Sequence, residues 1–205
     1  MMTEREADAN AANRATDGTA SDIVAFWFGE GEVHGKRREQ WFKKNVVFDD
    51  EIRHRFLAKF ELAAAGKLTH WKNHPHSCLA LIIALDQFPR NLFRGSPRAF
   101  ATDALAREAT AHALANGVDR ALKPVERQFI YLPLEHSESL PDQQHCLKLM
   151  QQLSAFAETA DLHVWAEKHL AIIASFGRFP HRNAALGRES TAEEIEFLKQ
   201  PGSGF

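Results

Sequence analysis

The sequence predicts an all-α fold of antiparallel helical hairpins, and three observations carry that expectation. Apolar residues recur at three- and four-residue steps through most of the chain. No segment sustains the apolar–polar alternation of a half-buried strand. Glycine, proline and capping residues cut the periodic stretches into units joined by short loops, as antiparallel helix pairs require.

Taken in order, residues 1–20 are polar and aperiodic and predict a disordered tail. Ser21-Asp22 reads as an N-cap pair ahead of Ile23-Val24-Ala25-Phe26-Trp27-Phe28, with Gly29 as the stop. From Gly31 to Lys44 the chain is polar and reads as loop anchored by Trp41-Phe42. Asp49 or Asp50 can cap a helix carrying Ile52, Phe56, Phe60 and Ala63, stopped by Gly66. The next helix runs from about His76 to Asp86 and should end before Pro89, because the residue preceding proline is pushed out of the α region.

Thr102 or Asp103 opens an alanine-rich helix that Gly117 closes. Pro124 suits the first turn of another, which Pro133 should break or kink. Pro141-Asp142 begins a helix to about Ala160, followed by Leu162 to Phe176. Ser190-x-x-Glu193 reads as a capping box before Ile195, Phe197 and Leu198. The expected domain is therefore 21–200, with a short C-terminal tail at 201–205.

Bulk properties narrow the function classes. At 205 residues with 44% hydrophobic and 25% charged residues, the chain reads as an ordinary globular protein able to bury a core. Its net charge of −2 offers no global basic field, so no nucleic-acid partner is expected. The apolar run from Cys78 to Leu85 is far shorter than the roughly 20 residues of a membrane span. The acidic start lacks the apolar stretch of a secretory signal, which with two cysteines, Cys78 and Cys146, predicts a cytoplasmic protein with reduced thiols and no membrane partner.

The most informative motif occurs twice. Leu79-Ala80-Leu81-Ile82-Ile83-Ala84-Leu85-Asp86-Gln87-Phe88-Pro89-Arg90-Asn91 is echoed by Leu170-Ala171-Ile172-Ile173-Ala174-Ser175-Phe176-Gly177-Arg178-Phe179-Pro180-His181-Arg182-Asn183. Each copy is an apolar helix running into Phe-Pro and then a cationic, amide-bearing loop. Arg90, Arg94 and Arg98 follow the first, and Arg178, His181, Arg182 and Arg188 the second. A planar guanidinium matches two oxygens of a carboxylate or phosphate at once, so a small anionic ligand between the loops is the leading reading. The structural alternative is that these loops serve helix C-termini, with Asp86, Asp103 and Glu189 neutralising the arginines.

A second constellation is Glu126-Arg127 with Glu135-His136-Ser137-Glu138 just past Pro133. Glu135 and His136 are the candidates for moving a proton, since imidazole titrates near neutrality and burial raises a carboxyl toward it. If Glu135 and Glu138 instead pair with loop arginines, residues 134–138 should still face the Phe-Pro loops. His70, His74 and His76 have a suggestive spacing, but Pro75 interrupts them and no metal is expected. His145-Cys146 are neighbours on a helix and diverge, so Cys146 is a weak nucleophile candidate. Trp27, Phe28, Trp41, Phe42, Phe88, Phe93, Phe129, Tyr131, Trp165 and Phe179 read as core packing.

These phrases resemble the bacterial domain-of-unknown-function family 924. The matching residues are Val24-Ala25-Phe26-Trp27-Phe28-Gly29, then Leu85 to Asn91 with Phe93-Arg94-Gly95. Glu126-Arg127-Gln128-Phe129, Leu132-Pro133-Leu134-Glu135-His136-Ser137-Glu138, Phe176 to Asn183 and Leu186-Gly187-Arg188-Glu189-Ser190-Thr191 complete them. The resemblance implies an all-helical fold like that of tetratricopeptide-repeat proteins and no established activity. The expected ligand contacts are Asp86, Arg90, Asn91, Arg94, Arg127, His181, Arg182 and Asn183. A helical adaptor docking a peptide or protein partner is the alternative. Cofactor and oligomeric state stay open.

Overall fold

The computed structural model describes residues 19–204. The disordered tail expected at 1–20 lies almost wholly outside the described residues, as does the final residue of the expected C-terminal tail. The described chain is all-α, without a strand.

Helix α1 (Ala20–Phe28) is capped by Thr19. Asp22 is the third helical residue, where its carboxylate accepts from the Thr19 amide at 2.6 Å. The expected Ser21-Asp22 cap was thus two residues late. Helix α1 buries Ile23, Val24, Trp27 and Phe28 along one stripe. Its last carbonyls are not left bare: Arg38 donates to Phe26 O and Trp27 O at 2.7 and 2.8 Å, and Trp41 Nε1 donates to Trp27 O. The segment read as loop is thereby fastened to the end of α1 through two short 3₁₀ turns.

Helix α2 (Val46–Ala64) starts earlier than expected because Asn45 Oδ1 accepts from Val47 N and Phe48 N. That releases Asp49 for other partners. Helix α3 (Pro75–Ile82) does not stop ahead of Pro89. It widens into a π turn at Ile83–Gln87 and continues as α4 (Phe88–Leu92). The proline removes the donor that would have served Leu85 O four residues back. The Thr102 hydroxyl takes that place at 2.5 Å, while Phe88 N reaches Ile83 O in the five-residue pattern.

Helix α5 (Asp103–Ala115) precedes α6 (Pro124–Glu135), which holds Pro133 within its last turn without breaking. Helix α7 (Leu140–Leu153) ends well before Ala160. Helix α8 (Leu162–Phe176) packs antiparallel on α7 and is closed by Gly177 at φ 68°, in the left-handed region that glycine enters at no steric cost. A 3₁₀ turn at Pro180–Arg182 leads to α9 (Asn183–Leu186), and α10 (Ala192–Leu198) follows. Its capping box is Thr191 with Glu194, one residue beyond the Ser190–Glu193 pair read from sequence.

The core is aromatic at its centre, where Trp27 meets Phe88 and Phe129 edge-on at 5.8 and 5.6 Å. Phe42 and Trp165, expected inside, are 58% and 44% exposed. Both cysteines are free and buried. No helix among the described residues is long and apolar enough to cross a membrane.

Candidate functional site

The site begins at the π turn. An ordinary helix here would carry Asp86 to a different azimuth, and π turns recur where a fold bends regular structure toward a function. Asp86 is fully buried. Its carboxylate accepts from His136 Nδ1 at 2.8 Å, from the Gln87 amide at 2.6 Å and pairs with Arg90 Nη1 at 3.3 Å. Burial alone would raise this carboxyl, but Arg90, His136 and Gln87 together hold it below the usual carboxylate range. An ionised Asp86 fixes the proton of neutral His136 on Nδ1 and leaves the lone pair on Nε2. Burial and the Arg90 charge push His136 down in spite of Asp86.

Arg90 is used up. Its Nη1 and Nη2 grip Asp103 at 2.9 and 3.0 Å, and Nη1 also donates to Asp86 O at 2.6 Å. Arg182 comes to the same carboxylate from the second phrase, but only at 3.4 Å. Its guanidinium carbon lies 4.8 Å from the Phe100 ring centroid and 4.5 Å from that of Phe179. Arg182 Nε is buried without a hydrogen-bond partner among the described residues. Burial first, and the Arg90 charge second, bring Arg182 down to about 10. The two phrases therefore do converge, and the anion they share is the chain's own Asp103.

Beneath this layer Glu135 is buried, with His169 Nδ1 at 3.5 Å and Cys146 Sγ at 3.9 Å. Burial, reinforced by Asp86, raises Glu135 to about 8, so it is mostly protonated at neutral pH. Burial and Glu135 push the Cys146 thiol well up, which makes it inert as a nucleophile. Burial lowers His169 to about 3, and burial with the Arg182 charge lowers His181 to about 4.

Residues 134–138 do face both phrases: His136 meets Asp86, and Glu138 accepts from Phe179 N at 2.8 Å while holding Arg188 through two contacts of 2.8 and 2.9 Å. The arginine pairing expected of Glu135 and Glu138 falls to Glu138, since Glu135 turns to His169 and Cys146 instead. Of the expected contacts, Asp86, Arg90, Glu135, His136, His181 and Arg182 gather here. Asn91 and Arg94 turn to Asp49 on α2, Arg127 to Tyr131 and Asp119, and Asn183 to Ser190, Glu194 and Arg188. Sequence reasoning missed His169 and Phe100. A signal existed for the first: His169 lies on the buried stripe of α8 with Leu162, Ala166, Ile172 and Ile173.

No set of three metal-holding side chains occurs among the described residues. Two surface concavities lie away from this centre, one of them between Phe176 and Phe197.

The family model for bacterial proteins of unknown function, DUF924, matches residues 23–202. The chain belongs to this family. It is also similar to the solved structure of a protein of unknown function from Agrobacterium tumefaciens, at 40% identity and a TM-score of 0.78, covering 88% of this chain and 96% of that one. No curated protein matches the chain. The all-α architecture thus recurs in a relative, and neither comparison brings an activity.

Proposed function

We propose that this chain binds a small anionic ligand at the rim where Arg182, His136 and His181 meet, and that His136 and Glu135 exchange protons there. The observation carrying this reading is the asymmetry of the two arginines around Asp103. Arg90 has both terminal nitrogens in short hydrogen bonds, whereas Arg182 has one long contact and a buried donor without a partner. A buried unsatisfied donor costs about 1–3 kcal/mol, and an oxygen supplied from outside would recover it.

Beside this donor stand two carboxyl groups whose surroundings push them apart. Asp86 is ionised and orients an imidazole, while Glu135 is neutral and can give a proton. Such a pair supports base action at His136 Nε2 and acid action at Glu135. His136 and Asp103 keep 16% and 13% of their side-chain surface, so the centre touches solvent at its edge. Thermal-shift measurements against carboxylates, phosphates and sulfonates should find a stabiliser whose effect disappears in Arg182→Ala. A panel with no stabiliser, or one indifferent to that substitution, rules the site out.

One observation favours the adaptor reading. Among the described residues the four most exposed large apolar side chains, Val33, Phe42, Val46 and Val47 at 51–69%, fall within one stretch near the amino-terminal side of the fold. Cross-links from Lys43 or Lys44 to another protein that vanish in Val46→Ser/Val47→Ser would support docking there.

A further inference from the structure

The charge balance around His136 points beyond "an anion" to a chemical class, and this step rests on the anion-site reading above. Two carboxylates, Asp86 and Asp103, face two guanidiniums, Arg90 and Arg182. Arg188 and Glu138 cancel each other at the neighbouring pair. The groups facing His136 are Asp86 and Arg90 from the first phrase, Arg182 and His181 from the second, His169 from α8, and its own neighbour Glu135. With the imidazoles and Glu135 neutral, the centre has no net charge.

An incoming monoanion therefore brings one uncompensated negative charge into a largely desolvated place, which is costly unless a positive charge arrives with it. His136 is the group built to supply it. Its Nδ1–H already rests on Asp86, so a proton added at Nε2 makes an imidazolium with a carboxylate on one side and the ligand on the other. It also sits at the C-terminus of α6, where the helix dipole favours a cation. We propose that the site takes its ligand as the equivalent of a neutral acid, a small monocarboxylate bound to the Arg182 guanidinium together with one proton taken up on His136 Nε2.

The geometry disfavours a dianion. Arg90 has both terminal nitrogens on Asp103 and offers no second fork. Phe100 and Phe179 lie against the Arg182 guanidinium, so a ligand approaches it in the plane of the fork, as a flat carboxylate does. A second negative charge needs a second proton, and the other two imidazoles, His169 and His181, resist charging through burial and the Arg182 charge.

Isothermal titration of the full chain with sodium acetate and with inorganic phosphate tests this, run in HEPES and in Tris at pH 7 and pH 8. The dependence of the heat on buffer counts the protons taken up. The expected result is acetate binding with uptake of about one proton, an affinity about tenfold weaker at pH 8 than at pH 7, and weaker binding of phosphate. Because Glu135 titrates in the same window, the double variant Glu135→Gln/His136→Gln is compared with Glu135→Gln alone, and should bind acetate more weakly, without proton uptake and without that pH dependence. Acetate binding with no proton exchange in the unsubstituted chain, or phosphate binding more tightly than acetate, overturns the monocarboxylate assignment while sparing the anion site. If neither anion binds at any pH, the anion site itself falls, and this inference with it.

Discussion

In the first Phe-Pro phrase the helix widens at Ile83–Gln87 and carries on through Pro89. In the second, Gly177 ends α8 and the chain restarts in a 3₁₀ turn at Pro180. The letters are similar, but the first copy has Asp86 where the second has Gly177. That one difference sets the rest. A continuous helix keeps Arg90 within reach of Asp86 one turn back and of Asp103, so both of its terminal nitrogens are held by short hydrogen bonds. A helix that stops has no carboxylate of its own at the matching place, and Arg182 must reach 79 residues back to Asp103. The first copy's arginine is held by three short hydrogen bonds, the second's by one long contact. Similar sequence does not mean similar duty when the backbone diverges at one residue.

The largest test of this contrast compares the two arginines. Arg90→Ala leaves Asp86 and Asp103 without their main cation and should cost about 3–5 kcal/mol in urea unfolding, the range for breaking a buried pair. Arg182→Ala should cost clearly less, because its contact with Asp103 is long and its Nε contributes nothing at present. Equal losses would break the comparison.

Next is Thr102→Val, which keeps the shape of the side chain and removes the hydroxyl donated to Leu85 O. A buried carbonyl without a donor costs about 1–3 kcal/mol, and the loss should appear in α3 and the π turn first, as faster amide exchange there than in α8. Uniform exchange through both helices would show that Thr102 does not hold the widened turn.

Glu135→Gln sharpens the electrostatic half. The native carboxyl titrates at about 8 against an ordinary 4.5, so burial penalises its ionised form. Its sign follows: the native state holds the proton longer than the unfolded chain, so stability is full below pH 4.5 and declines as pH rises toward 8. The melting temperature of the unsubstituted chain relative to Glu135→Gln should fall across that window. A constant difference would mean that Glu135 is ionised at neutral pH. His169, lowered to about 3, acts oppositely and weakens the fold as pH drops below 6.5.

The smallest effect expected is for Gly177→Ala. Nothing lies within 4 Å of an added Cβ, so the cost is the left-handed φ of 68° alone, about 1 kcal/mol. A melting curve that shows a much greater loss would mean that the break after α8 is under strain as well as permitted.

Much of the fold was legible in the sequence, and the misses share a cause. Periodicity located the helices, but caps moved by one to five residues wherever a better acceptor stood nearby, Thr19, Asn45 and Thr191 being the cases. Pro89 reads as a terminator because the donor it removes is local. The hydroxyl that replaces it comes from Thr102, 17 residues beyond the Leu85 carbonyl that it serves. In the candidate site the phrase itself nominated Arg90 and Arg182, and the residues after Pro133 nominated Glu135 and His136. Asn91, Arg94, Arg127 and Asn183 carried the same chemistry on the page and went to other partners.

The sequence alone determined the helical class, the two Phe-Pro phrases and the residue types able to bind an anion or move a proton, because these depend on spacing and side-chain chemistry. Only the tertiary structure decided that Asp103 is the anion both arginines share, that Asp86 orients His136 and that His169 stands behind Glu135. Those pairings join residues 79, 50 and 34 positions apart. Hydrogen bonds and charges act through a few ångströms of space, and separation along the chain says nothing of that distance until the helices have packed.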